Sequence, residues 1–301
     1  MELWVYATIG ATIFQTLRFM LQKQLSMGAL STGGATFARF AYSAPLLAAV
    51  LAAWLVASDT ELPALSARFW TMGAIGGFAQ ILATVCVVAL FRERNFAVGI
   101  TFKKTEVVQA ALVGFIIVGE GVSILGLVAI LVGLTGVLLL SSAPEAKGSW
   151  KERLFTRAAG LGLASGLLFA ISGVTYRAAT LEVGADAPLL CAAVTLSAVT
   201  LMQFGAMSLW LRVFEQGQIR AVWGARRKAL WIGLMSLGGS LGWFLAFTLQ
   251  TAAYVKALGQ IELIFSLMVS VLVFKERLSM REGIAIGFLS ASVLLLILVV
   301  R

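Results

Sequence analysis

The sequence predicts an all-α integral membrane protein of ten transmembrane helices, arranged as two inverted five-helix repeats. Three observations predict it. The 301-residue chain is 60% hydrophobic and only 12% charged, with a mean hydropathy of +0.97, far from the profile of a water-soluble domain. Apolar runs of helix-spanning length recur from end to end, and about 20 residues are needed to cross about 30 Å of hydrocarbon. The two halves of the chain repeat one charge pattern with the loop bias reversed.

Taken in order, the spans fall near 3–22, 33–57, 70–91, 96–118, 122–141, 157–178, 187–211, 229–250, 253–274 and 283–300. The opening MELWVYATIG has neither the basic n-region nor the small-residue cleavage site of a signal peptide, so the first span is expected to be retained. Outer-membrane strands would alternate over about ten residues, and these runs do not. Trp4, Trp54, Trp70, Trp210 and Trp231 lie near span ends, where an interfacial aromatic belt is expected. Gly73/Gly77, Gly162/Gly166 and Gly283/Gly287 have the spacing that lets helices approach closely. Cys86 and Cys191, without Cys-x-x-Cys spacing, read as small buried hydrophobes.

The repeat is visible in the acids. A shift of 156 residues places Glu106 on Glu262, Glu120 on Glu276, Val113 on Val269 and Ser123 on Ser279, and one further residue brings Gly126 onto Gly283. The expected organisation is therefore 1–143 for the first repeat, 144–156 for a basic linker and 157–301 for the second. Five spans per copy is an odd number, so the second copy enters the membrane inverted.

Loop charges agree with this inversion. Basic residues sit between spans 1 and 2 (Lys23) and 3 and 4 (Arg92, Arg94), then between 7 and 8 (Arg212, Arg220, Arg226, Arg227, Lys228) and 9 and 10 (Lys275, Arg277, Arg281). The linker adds Lys147, Lys151, Arg153 and Arg157, while loop 2-3 carries only Arg68. All the clusters fall on one side of a ten-span arrangement, which the positive-inside rule makes cytoplasmic, with both termini outside. The net charge of +9 thus reads as topology rather than as nucleic-acid binding.

Charges inside spans point to function, because an ionisable group at mid-bilayer is costly unless it is paired or faces a polar cavity. Glu106 lies about twelve residues, roughly 18 Å, from the end of its helix, near the midplane, and Glu262 matches it in depth. Lys103 shares a helical face with Glu106 three residues on, whereas Lys104 points elsewhere. A structural ion pair and a cavity-facing site are both open for these residues. Lys256, Arg18 and Arg177 lie close enough to span ends to snorkel, and Arg39 reaches deeper. Six intramembrane cations against two acids suggest a substrate carrying a carboxylate or phosphate. Gln15, Gln80, Tyr176, Trp243 and Tyr254 are polar or aromatic candidates for packing or a cavity wall, while Glu120 and Glu276 suit helix ends beside water.

Chemistry of other kinds has no support. Histidine is absent, which removes His-based metal sites and nucleophile relays, and the chain has no Walker loop. No cofactor, metal or enzymatic role is expected.

An acid near the start of a helix, VGE or KERLS at its end and a glycine-bearing final helix, all occurring twice, together with FARFAYSAPLLAAVL over 37–51, resemble the EamA-type members of the drug/metabolite transporter superfamily. The resemblance extends over nearly the whole chain. It implies a ten-helix bundle around a central cavity that moves a small amphipathic metabolite (amino-acid-like, organic anion or drug-like) by alternating access, most often outward. It further implies coupling to protons or counter-substrate in a cytoplasmic (inner) membrane, with lipids as neighbours and a monomer or homodimer as the unit. Glu106, Glu262, Lys103, Lys104 and Arg39 are its implied binding or coupling residues. The sequence departs from the family where Val107 and Leu263 replace the proline that often follows the fourth-helix acid, and in its outside termini. The rival readings are an intramembrane enzyme acting on a lipid-linked substrate, which would need polar loop motifs, and a non-transporting membrane subunit or lipid translocator.

Overall fold

The structure, a computed structural model, describes residues 2–26, 30–90, 102–141, 156–265 and 280–299. Among these, every regular element is helical. The helices are α1 (Leu3–Ser26), α2 (Thr32–Ala57), α3 (Ala67–Leu90), α4 (Glu106–Val118), α5 (Ile124–Ser141), α6 (Arg157–Leu181), α7 (Pro188–Phe214), the short α8 (Gln218–Gly224), α9 (Arg226–Leu249), α10 (Ala252–Leu258) and α11 (Met280–Val299). A 3-10 turn, Gly259–Ile261, follows α10, and residues 262–265 are helical again.

Five described helices, α2, α3, α6, α7 and α9, are long and apolar enough to cross a membrane. Among the described residues, then, five of the ten spans expected from the sequence have helices of that length and apolarity. The 24-residue α1 is long enough, but its Thr8, Thr12, Gln15, Thr16, Arg18 and Gln22 lower its apolarity, while α4, α5 and α11 contribute apolar stretches shorter than 18 residues. Large apolar side chains face outward along the molecule, as at Phe78, Phe115, Ile116, Ile124 and Leu298, the pattern of a surface made for hydrocarbon.

The interior is held by close helix pairs: α3 with α6, α1 with α9, α5 with α11, α2 with α7, and α4 with both α6 and α10. Small residues set these approaches. A Cβ on Gly76 would lie 2.7 Å from the Tyr176 ring, and one on Gly136 would lie 2.8 Å from the Ala285 carbonyl oxygen. Gly73 and Gly77 meet Val199 and Gln203 of α7, and Gly166 faces the backbone at Lys103, as their spacing predicts. Gly283 and Gly287 do not, since a Cβ at either would meet no atom within 4 Å. On that interface the glycines that matter are Gly133 and Gly136 of α5.

Charge separates along the bundle. Arg212, Arg220, Arg226, Arg227 and Lys228 lie at the end where α2 begins and α7 finishes, tied there by Ser31, whose hydroxyl bonds Glu215 and whose N–H donates to Gln218 (3.0 Å). At the opposite end Arg68 pairs with Glu182 (3.5 Å) and Arg177 with Glu120 (2.7 Å). Trp54, Trp70, Trp210 and Trp231 are exposed near helix ends, as an aromatic belt requires. Trp4 departs from that expectation: it is buried, with its indole N–H donated to Glu2.

Candidate functional site

The fourth helix of each half is interrupted beside its acid. Phe102 and Lys103 are helical, Lys104 and Thr105 form a turn, and α4 starts at Glu106; in the second half the 3-10 turn at Gly259–Ile261 precedes Glu262. These breaks coincide under the 156-residue shift. Neither needs a proline. The Thr105 hydroxyl donates to the Phe102 carbonyl (2.7 Å), competing with the helical ladder, and Gly259 accommodates Trp243, whose ring would lie 2.6 Å from an added Cβ.

The breaks bring the charges together. Glu106 is buried, and each of its oxygens takes one ammonium: Oε2 from Lys103 at 3.3 Å and Oε1 from Lys256 at 2.5 Å. Glu262 pairs with Lys104 and accepts from the Gln15 amide (3.2 Å), whose oxygen in turn accepts the Trp243 indole N–H (3.1 Å). Each acid is thus held by a lysine from the other half of the chain. Aromatic faces complete the surroundings of Lys256, with ring centroids of Trp243, Phe169 and Phe247 at 5.1, 5.4 and 5.7 Å.

Arg39 is in a different situation. It is 5% exposed, and its guanidinium donates to the Thr84 and Ser240 hydroxyls at 3.3 and 3.1 Å. Among the described residues no carboxylate lies within 4 Å of it. Close by, the Tyr176 hydroxyl donates to Gln80 Oε1 (3.1 Å), which also accepts from Gln203 (3.0 Å), and Tyr176 packs on Phe244 with ring centroids 4.4 Å apart. Arg39, Gln80, Tyr176, Ser240, Trp243 and Lys256 share the wall of a void of about 20 Å³, roughly the size that admits one water.

Of the residues singled out in the sequence, Lys103, Glu106, Lys104, Glu262, Gln15 and Trp243 therefore converge, and Arg39, Gln80 and Tyr176 adjoin them. Two expectations fail. Lys256 does not snorkel but is the second partner of Glu106, and Arg18 is buried with its guanidinium on Gln22 (2.8 Å). Arg177 stays near the end of its helix, held there by Glu120 and the Phe247 carbonyl (2.7 Å). Lys256 was traceable in principle, as a cation in the apolar run AAYVKALG with no acid on its own turn. Its role escapes sequence reasoning because its partner lies 150 residues away. Tyr254 is a packing residue, its hydroxyl within bonding distance of Ser123. Glu276 lies outside the described residues.

The acids are occupied by lysines, and Cys191 is buried against the Ala185 carbonyl (3.2 Å). No group of three or more His, Cys, Asp or Glu side chains suited to a metal occurs among the described residues.

No protein-family model matches the chain, and no curated protein matches it. The chain is similar in fold to a protein of known crystal structure, with a TM-score of 0.65 and 18% identity over 96% of this chain and 98% of that one.

Proposed function

We propose that the chain is a secondary transporter of the EamA type, in which ten membrane spans form two inverted five-helix repeats around the Lys–Glu cluster. It moves a small amphipathic organic anion across the cytoplasmic membrane by alternating access, outward in the favoured direction. The carrying observation is Arg39, a buried cation beside a polar void whose charge no described carboxylate balances. A buried charge of this kind is stable when a counter-ion visits it.

Several features support the reading. The helix pairing is preserved when the halves are exchanged: α3 with α6 corresponds to α1 with α9, while α5 with α11, α2 with α7 and α4 with α10 map onto themselves. Interrupted helices at the midplane are a recurrent way for transporters to build a binding site. The arginine-rich end is cytoplasmic by the positive-inside rule, which sets the Glu120–Arg177 and Arg68–Glu182 pairs at the outer end. A void of about 20 Å³ is far below the roughly 300 Å³ of a metabolite pocket, so loading requires these ties to open at one end at a time.

A thermal-shift screen of the purified protein tests this with carboxylates, phosphate esters, amino acids, nucleosides and amines. A ligand at about 100 times its Kd stabilises by about 2.7 kcal/mol. An anion is expected to raise the Tm of wild type and of Lys104→Ala but not of Arg39→Gln. Stabilisation by amines alone, or an anion shift that survives Arg39→Gln, overturns the assignment.

A further inference from the structure

A second cavity, of about 640 Å³, opens between α2, α7 and α8 at the arginine-rich end. Its deeper wall is apolar, formed by Phe37, Ala41, Phe204, Leu211 and Val222, and its rim carries Arg212 and Arg220. Gly217, at φ +86°, makes the left-handed turn that folds α8 back over the groove. Tyr42 lines it as well, its ring stacked on Trp223 (centroids 6.4 Å apart, 13° between planes) and its buried hydroxyl without a hydrogen-bond partner among the described residues.

Charge at the rim is one-sided. Arg212, Arg220, Arg226, Arg227 and Lys228 are all exposed, and none pairs with a carboxylate among the described residues. The stretch from 212 to 228 holds one acid, Glu215, which is engaged by the Ser31 hydroxyl. Beside them Phe214 and Trp223 present exposed rings, the amphipathic side chains suited to the headgroup layer. The groove thus joins an apolar slot to a cationic mouth.

We infer that this groove binds an anionic phospholipid of the cytoplasmic leaflet, its phosphate held by Arg212 and Arg220 and one acyl chain lying along Phe37, Ala41 and Phe204. A zwitterionic lipid would leave the cations unbalanced, and a fully soluble anion would leave the apolar wall uncovered. The site is distinct from the Arg39 void and does not depend on transport. It requires only that the arginine-rich end lie in the headgroup layer, where basic pockets between helices recognise acidic lipids.

The test is native mass spectrometry of the full chain released from nanodiscs of phosphatidylglycerol and phosphatidylcholine, with the melting temperature in each lipid recorded alongside. Wild type is expected to retain phosphatidylglycerol preferentially. Arg212→Gln/Arg220→Gln is expected to lose about 30-fold of that preference, about fivefold for each basic residue, with an unchanged Tm in phosphatidylcholine. Arg227→Gln, off the groove wall, keeps most of the preference, and Ala41→Phe, which fills the slot, lowers retention of both lipids. Equal retention of the two lipids by wild type, or a preference intact in the double variant, overturns the inference. So does competition by glycerol phosphate alone, which would make the site one for a soluble anion.

Discussion

Replacing Glu106 by Gln removes an acid shared by two buried ammonium groups. Lys103 and Lys256 lie 3.3 and 2.5 Å from its two oxygens, and the three side chains are 8%, 13% and 7% exposed for Lys103, Lys256 and Glu106. Breaking a buried pair from one side costs about 3–5 kcal/mol, because the partner charge stays buried without compensation. Here two cations are stranded, which sets Glu106→Gln at the upper end of that range. Lys256→Met is a milder change: Lys103 still balances Glu106, and the thioether suits the Trp243, Phe169 and Phe247 rings at about 1 kcal/mol or less. The double variant Glu106→Gln/Lys256→Met should recover part of the loss, with a coupling of about 1–3 kcal/mol. Reversible unfolding in detergent, followed by tryptophan fluorescence, measures all three. If Lys256→Met costs as much as Glu106→Gln, or the coupling is under about 0.5 kcal/mol, the lysines do not share the carboxylate.

Other predictions follow from close approaches and end ties. Gly136→Ala should destabilise by about 1–3 kcal/mol in the same assay, since its Cβ would lie 2.8 Å from a backbone oxygen that cannot rotate away, whereas Gly283→Ala should lie within about 1 kcal/mol of wild type. Tyr176→Phe removes the bond to Gln80 and should cost about 0.5–1.5 kcal/mol, with near-normal ligand affinity distinguishing it from Arg39→Gln. Glu120→Gln loosens Arg177 at the end proposed to face outward. A cysteine placed at Ser172, on the wall of the inner void, should then react faster with a membrane-impermeant thiol reagent added from outside, and an unchanged rate would show that this pair does not close the outer end.

Much of this architecture was legible because it depends on composition and local spacing. Apolarity gave the membrane and the helices, and Lys103 with Glu106 could be paired by their three-residue separation. Glu262 was recognised through the repeat, yet its partner Lys104 was set apart as pointing away from Glu106, which is true on one helix and irrelevant between two. Distance from span ends, the sequence criterion for Lys256, cannot register a carboxylate supplied by another helix, and for Arg18 it does not register burial on Gln22 of its own helix. The helix breaks leave little trace in the sequence for a related reason. Neither contains a proline; Thr105 and Gly259 weaken the ladder by a side-chain hydrogen bond and by close packing. The groove under α8 left only a cluster of arginines in the sequence, since its apolar wall draws on α2 and α7 together.

Counterflow in proteoliposomes tests the central claim most directly: liposomes are loaded with an unlabelled anion that stabilises the protein, and a trace of the labelled compound is added outside. Transient accumulation by wild type that is abolished by Arg39→Gln, in protein of normal folding and orientation, is the predicted result. No accumulation for any stabilising anion, or equal accumulation by Arg39→Gln, would contradict a transport path built around Arg39.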